Sequence, residues 1–278
     1  MRGVAGHGVV SDPPSSDTSA DGRGAATAPP AASVLRVLTV NMHKGFSSFN
    51  RRFVLVELRE AVRAVGADIV FLQEVQGEHE EHRRRWRHWP VEPHYEFLAD
   101  QLWPEFAYGR NAVYPHGHHG NAVLSQFPIV AHENHDVSVG RREARGLLRC
   151  VIGLPGRPSE VHAICVHLGL RERQRREQLV QLVALLEAQV PAAMPLVVAG
   201  DFNDWRRTGH AQLLRHRLAE VHHSGSGRLA ASFPAQLPLL PLDRIYVRNV
   251  RSYRPIPMPR RPWSGLSDHA PLAAELVL

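Results

Sequence analysis

The chain has 278 residues, 44% hydrophobic and 22% charged, values ordinary for a globular protein of one large domain or two small ones. No run approaches the roughly 18 consecutive apolar residues of a membrane-spanning helix, and neither a Gly-X-Y period nor sustained heptads occur, so collagen-like and coiled-coil classes are excluded. The net charge of +6 and a pI of about 10.0 favour anionic partners such as nucleic acid, phosphorylated metabolites or anionic lipid surfaces, without choosing among them. Lys44 is the only lysine among the 33 basic residues, so arginine abundance reflects a coding bias as much as a binding function. Two cysteines, Cys150 and Cys165, are too few for a disulfide scaffold and read as buried thiols of a reducing compartment. With no apolar core and cleavage site near the N-terminus, a cytoplasmic location is expected.

Residues 1–33 are rich in Gly, Ser, Pro, Ala and Asp and are expected to form a disordered tail. A domain spanning 34–278 follows. It opens on the apolar run from Val34 to Val40, a buried strand. Val54, Leu55, Leu58, Ala61, Val62 and Val65 share one helical face, with Gly66 placed as a C-terminal cap. Residues 67–72 then read as a strand. Further strands are expected at 120–125, 147–154, 160–166, 196–199, 242–247 and 271–278, with a long helix at 173–190. Many strands, few long helices and both kinds of connection predict mixed sheets packed face to face with helices outside.

Polar residues recur where these strands stop: Asn41, Gln73-Glu74, His167, Asp201 with Asn203, Asp243, and Asp268-His269. A scaffold that aligns its strand ends would gather these side chains in one cleft. Glu74 and an aspartate offer hard oxygen ligands suited to Mg²⁺ or Mn²⁺. A histidine beside an aspartate is oriented and held charged for contact with phosphate. An aspartate near a metal positions water, and an asparagine donates to a phosphoryl oxygen. The set describes metal-assisted hydrolysis of a phosphate ester.

The segments Thr39-Val40-Asn41, Leu72-Gln73-Glu74, Val166-His167-Leu168, Gly200-Asp201-Phe202-Asn203, Leu242-Asp243-Arg244-Ile245 and Ser267-Asp268-His269, in this order, resemble the endonuclease/exonuclease/phosphatase superfamily. The runs 41–45 and 117–121 are similar to a bacterial branch of it. The resemblance implies a deoxyribonuclease I-like four-layer α/β sandwich, two packed mixed sheets flanked by helices. It implies Glu74 as the principal metal ligand, with Asn41 and Asp268 close to the Mg²⁺ (or Mn²⁺). Asp201 would activate water, Asp243 would orient His269, and His167 and His269 would contact phosphoryl oxygens. Asn203, Asn121 and Arg145 would face the substrate. The implied activity is a phosphodiesterase acting on nucleic acid or a phospholipid head group by in-line water attack. A phosphomonoesterase on a small metabolite and an inactive or regulatory binding module are the alternatives. A monomer without stable membrane insertion is expected.

Arg244 stands where the family usually has an aromatic residue. His116, His118 and His119 read as a solvated or substrate-side loop rather than a metal site, and 171–176 as the exposed start of a helix. Trp86, Trp89, His222 and His223 read as loop packing, and 255–262 as a rigid surface loop. No amphipathic or apolar membrane-docking segment stands out.

Overall fold

The computed structural model describes residues 33–278 except 101, 141–142, 157–159 and 224–226. The tail expected at 1–33 lies outside the described residues apart from Ser33. The strands are β1 (Val34–Asn41), β2 (Ile69–His79), β3 (Glu105–Tyr114), β4 (Gly117–Ser125), β5 (Ile129–Asp136), β6 (Gly146–Ile152), β7 (Val161–His167), β8 (Leu196–Asp201), β9 (Ala219–Glu220), β10 (Asp243–Arg248), β11 (Ser252–Ile256) and β12 (Leu272–Val277). The helices are α1 (Leu55–Val65), α2 (Glu80–Arg85), α3 (His94–Ala99), α4 (Glu172–Gln189) and α5 (His210–Arg215). Among the described residues no helix is long and apolar enough to cross a membrane.

The strands form two six-stranded mixed sheets, ordered β11-β12-β1-β2-β4-β3 and β5-β6-β7-β8-β10-β9. Each contains one parallel pair joined across a helix, β1 with β2 and β7 with β8. Successive side chains of a strand face opposite sides of its sheet, and three apolar clusters follow from that alternation. Val37, Phe71, Cys165, Val197, Ala199 and Ile245 pack between the sheets. Leu38, Val40 and Leu72 face the other way, onto Leu55, Leu58 and Val62 of α1. Ile164, Val166 and Val198 face Leu179, Leu182 and Leu186 of α4. The result is the expected four-layer sandwich.

Gly66 ends α1 with φ +62, the left-handed cap that its position predicted. Both cysteines are buried and unbridged. The polar stretch after β2 holds α2 and folds Trp86 and Trp89 against Phe46 and Phe53, with centroids 4.8–6.3 Å apart. His118 and His119 correct the expected loop, because both lie inside β4.

His94 is fully buried against Phe53 and Trp89. Neither ring nitrogen has a hydrogen-bond partner. Burial holds its pKa down to about 3. The unfolded chain therefore binds this proton from about pH 6.5 downward while the folded chain refuses it. The neutral ring's contribution is complete above pH 6.5 and is lost as pH falls toward 3. At pH 5 the loss is about 2 kcal/mol. In urea unfolding at pH 7 and pH 5, a His94→Phe variant is expected to show a drop about 2 kcal/mol smaller than that of the wild type, the remainder coming from other buried neutral histidines such as His162 and His222.

Candidate active site

The apolar layer between the sheets gives way to polar side chains at one edge. Asn41 continues the inward face of Val37 on β1, and Asp201 continues that of Val197 and Ala199 on β8. Register completes the row: His167 pairs with Asp201 across β7 and β8, and Asp243 pairs with Asp201 across β8 and β10. Asn41 pairs with Gln73 in the opposite sheet. Gly200 makes the approach of β8 possible, since a Cβ there would sit 1.9 Å from the Val166 carbonyl oxygen.

Glu74 reaches the row by a different device. The β2–β4 register slips between Leu72 and Val75, so Gln73 and Glu74 together face Asn121. Glu74 takes φ +54 there. Val75 falls on the helix side with Leu72, and Glu74 turns the other way, its Oε2 3.3 Å from Lys44 Nζ. Gln73 stays between the sheets, donating to Thr39 Oγ1 at 3.2 Å. Positive φ at Glu74 and at Asn203 (+50) is local strain of the kind that accumulates at functional sites.

Asp201 is the hub. Its carboxylate accepts from Asn41 Nδ2 at 3.1 Å, from the Asn203 backbone N–H at 2.9 Å and from Asn203 Nδ2 at 3.3 Å. His167 Nε2 and His269 Nε2 lie 3.6 and 3.9 Å from the same carboxylate. His269 Nδ1 donates to Asp243 Oδ2 at 2.7 Å. Ser267 closes the ring across the two sheets, donating to the Asn41 carbonyl at 2.7 Å and accepting from the His269 N–H at 3.2 Å.

The charges are set by burial and by neighbours. Burial raises the Asp201 pKa, against the pull of His269. Burial alone would lower His269, but Asp243 and Asp201 outweigh it and hold the ring protonated. Burial and the nearby Arg145 keep His167 neutral. Burial pushes Glu74 up, yet the positive charge beside it, Lys44 first, overcomes it and brings its pKa to about 2.

Glu74 Oε2 is buried, 3.3 Å from Lys44 Nζ, and no described donor is aligned on it for a hydrogen bond. An ionised carboxylate oxygen without a hydrogen bond fits a hard divalent cation. Asn41 Oδ1 accepts from the His43 N–H at 3.1 Å and retains a second lone pair. Asp268 stands 3.8 Å from His43 Nδ1, its side chain partly exposed. The ligand atoms of Asp201, Asp243 and His269 also lie within 4.8 Å of one another. Their positive charge is already supplied by the His269 proton, so this trio suits proton handling better than metal binding.

Every expected site residue lies on this rim, with differences in freedom. Asn203 is committed to Leu168 O (3.0 Å) as well as Asp201. Asn121 Nδ2 donates to Gly146 O at 2.9 Å, leaving its buried Oδ1 unpartnered. Arg145 is pinned by its Nε to Leu168 O at 3.2 Å. Lys44 and His43 were not assigned to the site from the sequence, and His119 was read there as part of a solvated or substrate-side loop. The sole lysine, directly after Asn41-Met42-His43, was the available signal. The expected basic helix start is corrected in one respect, since Arg175 is buried and donates to the Leu170 carbonyl.

The chain belongs to the Endonuclease/Exonuclease/phosphatase family, whose model matches residues 38–269. Members of this family are phosphodiesterases and phosphatases. The chain is 55% identical over 244 residues to the Uncharacterized protein YbhP of Escherichia coli strain K12, covering 87% of this chain and 96% of that protein. Its fold is similar to an endonuclease/exonuclease/phosphatase from Beutenbergia cavernae (TM-score 0.68, 20% identity, 88% of this chain and 72% of that one). It is also similar to the human Nocturnin catalytic domain with bound sulfate (TM-score 0.66, 18% identity, 91% of this chain and all of that one).

Arg244, the departure from the family pattern, is fully buried and holds the loop after β8. Its Nη2 donates to Asp204 O at 2.6 Å and Pro241 O at 3.1 Å, and its Nη1 lies 3.6 Å from Asp204 Oδ2. Asp204 in turn accepts from the N–H groups of Thr208 and Gly209 at 3.0 and 2.9 Å. Replacing Arg244 by Met strands a buried carboxylate, and a loss of about 3–5 kcal/mol is expected in urea unfolding. Pairing it with Asp204→Asn is expected to recover part of that loss.

Proposed function

We propose that the protein is a divalent-metal-dependent phosphodiesterase acting on a phospholipid head group or nucleic acid. The observation that carries this reading is the pairing, in one cleft, of an ionised Glu74 lacking a hydrogen bond with the Asp201–Asp243–His269 network. Glu74, with Asn41 and Asp268 beside it, would hold Mg²⁺ or Mn²⁺. Bound there, the ion would neutralise charge on the phosphoryl group and on the departing oxygen.

Asp201, raised by burial and fixed by three N–H donors, takes a proton from the attacking water. His269, kept protonated by Asp243, directs its Nε2–H at a phosphoryl oxygen. Neutral His167 offers a second donor beside it. Asn121, through its unpartnered Oδ1, and Arg145 border the substrate side. Attack is in line and no covalent intermediate with the protein is required. Donors fixed before the substrate arrives supply stabilisation without reorganisation.

Hydrolysis of bis-p-nitrophenyl phosphate tests the reading. Turnover is expected with Mg²⁺ or Mn²⁺, absent in EDTA, and reduced at least about a hundredfold in Glu74→Ala. Equal turnover in the variant, or none from the wild type with any divalent ion, contradicts it.

A further inference from the structure

Large apolar side chains are exposed on one rim of the cleft. Phe49 is 82% exposed, Leu237 64% and Leu239 67%, with Leu240 partly exposed beside them. The loops that carry them, 47–52 and 232–241, are joined. Gln236 Nε2 donates to both Ser48 Oγ and Ser264 O, and Ser48 Oγ faces Ser267 O at 3.3 Å. Both loops are tied to the reacting groups. The Ala235 N–H donates to Asp268 O at 2.7 Å, the Phe233 ring lies 5.0 Å from that of His269, and Ser232 Oγ accepts from the Asp243 N–H at 3.0 Å.

Charge surrounds this apolar edge. Arg51, Arg52, Arg260 and Arg261 are exposed. Arg51 stacks on Phe49, 5.3 Å from its ring centroid, and Arg260 donates to the Gln236 carbonyl. Segments 47–52, 232–241 and 257–267 contain no acidic residue. Two acidic residues adjoin them: Glu57 of α1 pairs with Arg52, and Asp268 follows the third segment, its carbonyl accepting from the Ala235 N–H. An apolar cavity of about 360 Å³ lies beneath the second loop, lined by Ala235, Pro238, Met258 and Trp263 among others.

We infer that this rim docks the protein on an anionic lipid bilayer, so that the cleft receives a phosphodiester presented at the membrane surface. The inference rests on the phosphodiesterase reading and selects the lipid arm of it. Exposed leucine and phenylalanine bordered by arginine match the interface of an anionic bilayer, where apolar groups enter the acyl boundary and cations meet the head groups. Nucleic acid fits less well. Phe49 and the arginines would suit it, but Leu237, Leu239 and Leu240 offer no face on which a base stacks. The segment did not stand out in the sequence because its leucines alternate with prolines in a loop, outside any helical or strand period.

Co-sedimentation of the full chain with phosphatidylcholine vesicles, with and without phosphatidylglycerol, tests the docking. EDTA keeps binding separate from turnover. The wild type is expected to bind the phosphatidylglycerol vesicles. The triple variant Phe49→Ser, Leu237→Ser, Leu239→Ser is expected to bind them at least about tenfold more weakly while keeping its melting temperature and its hydrolysis of bis-p-nitrophenyl phosphate. Arg51→Glu with Arg261→Glu is expected to remove the preference for the anionic vesicles. No vesicle binding by the wild type overturns the inference, as does a triple variant that binds vesicles normally. A triple variant that loses affinity for a single-stranded oligonucleotide but not for vesicles assigns the rim to nucleic acid and overturns it too. Failure of docking with diester turnover intact leaves the phosphodiesterase reading standing, and loss of turnover with docking intact does the reverse.

Discussion

The site depends on pleat alternation at the ends of the central strands. The face that carries Val37, Cys165, Val197 and Ile245 in the shared core carries Asn41, His167, Asp201 and Asp243 at the rim. No loop rearrangement is needed to bring these groups together, because the β7–β8 and β8–β10 registers align three of them in one row. The four-layer packing that buries the apolar residues thereby fixes the polar ones, and catalytic geometry and stability share one backbone. The bulge at Gln73-Glu74 adds what alternation alone withholds. Without the slip Glu74 would point with Leu72 toward α1.

Desolvation gives this row its chemistry. Asp201, Asp243, His167 and His269 are all buried, and burial penalises each charged form. The outcome then depends on pairing. Asp243 holds His269 protonated at 2.7 Å, whereas His167, beside Arg145, stays neutral. Two histidines on one carboxylate are thus driven in opposite directions by their neighbours. Glu74 goes against burial chiefly because of the Lys44 charge beside it. The division is between a cation-binding carboxylate on the first sheet and a proton-handling cluster on the second, which His269 reaches from the loop before β12, with Asn41 and Ser267 joining the two.

The eight strands read from the sequence are the eight interior strands of the two sheets. The four that were missed, β3, β5, β9 and β11, are the sheet edges. Edge strands need not be apolar, and β5 (Ile129–Asp136), with His, Glu and Asn outward, shows why hydrophobic pattern overlooks them. Pro255 is tolerated in β11 for the same reason. Asn41, Glu74, His167 and Asp201 were legible because each follows an apolar run, and Asp243 and His269 because each precedes one. The bulge, the Lys44–Glu74 contact and the role of Arg244 were not, since a register slip and a contact between residues distant in sequence leave no local pattern. The rim of exposed leucines had no period to betray it.

The assignment of the cation to Glu74 rather than to the Asp201–Asp243–His269 trio is the central claim, and Mn²⁺ titration followed by electron paramagnetic resonance tests it most directly. Wild type and Asp201→Asn are expected to bind Mn²⁺ with similar affinity, and Glu74→Gln to lose about tenfold or more. Retained binding in Glu74→Gln together with its loss in Asp201→Asn would place the metal in the trio and contradict the division of roles between the two sheets.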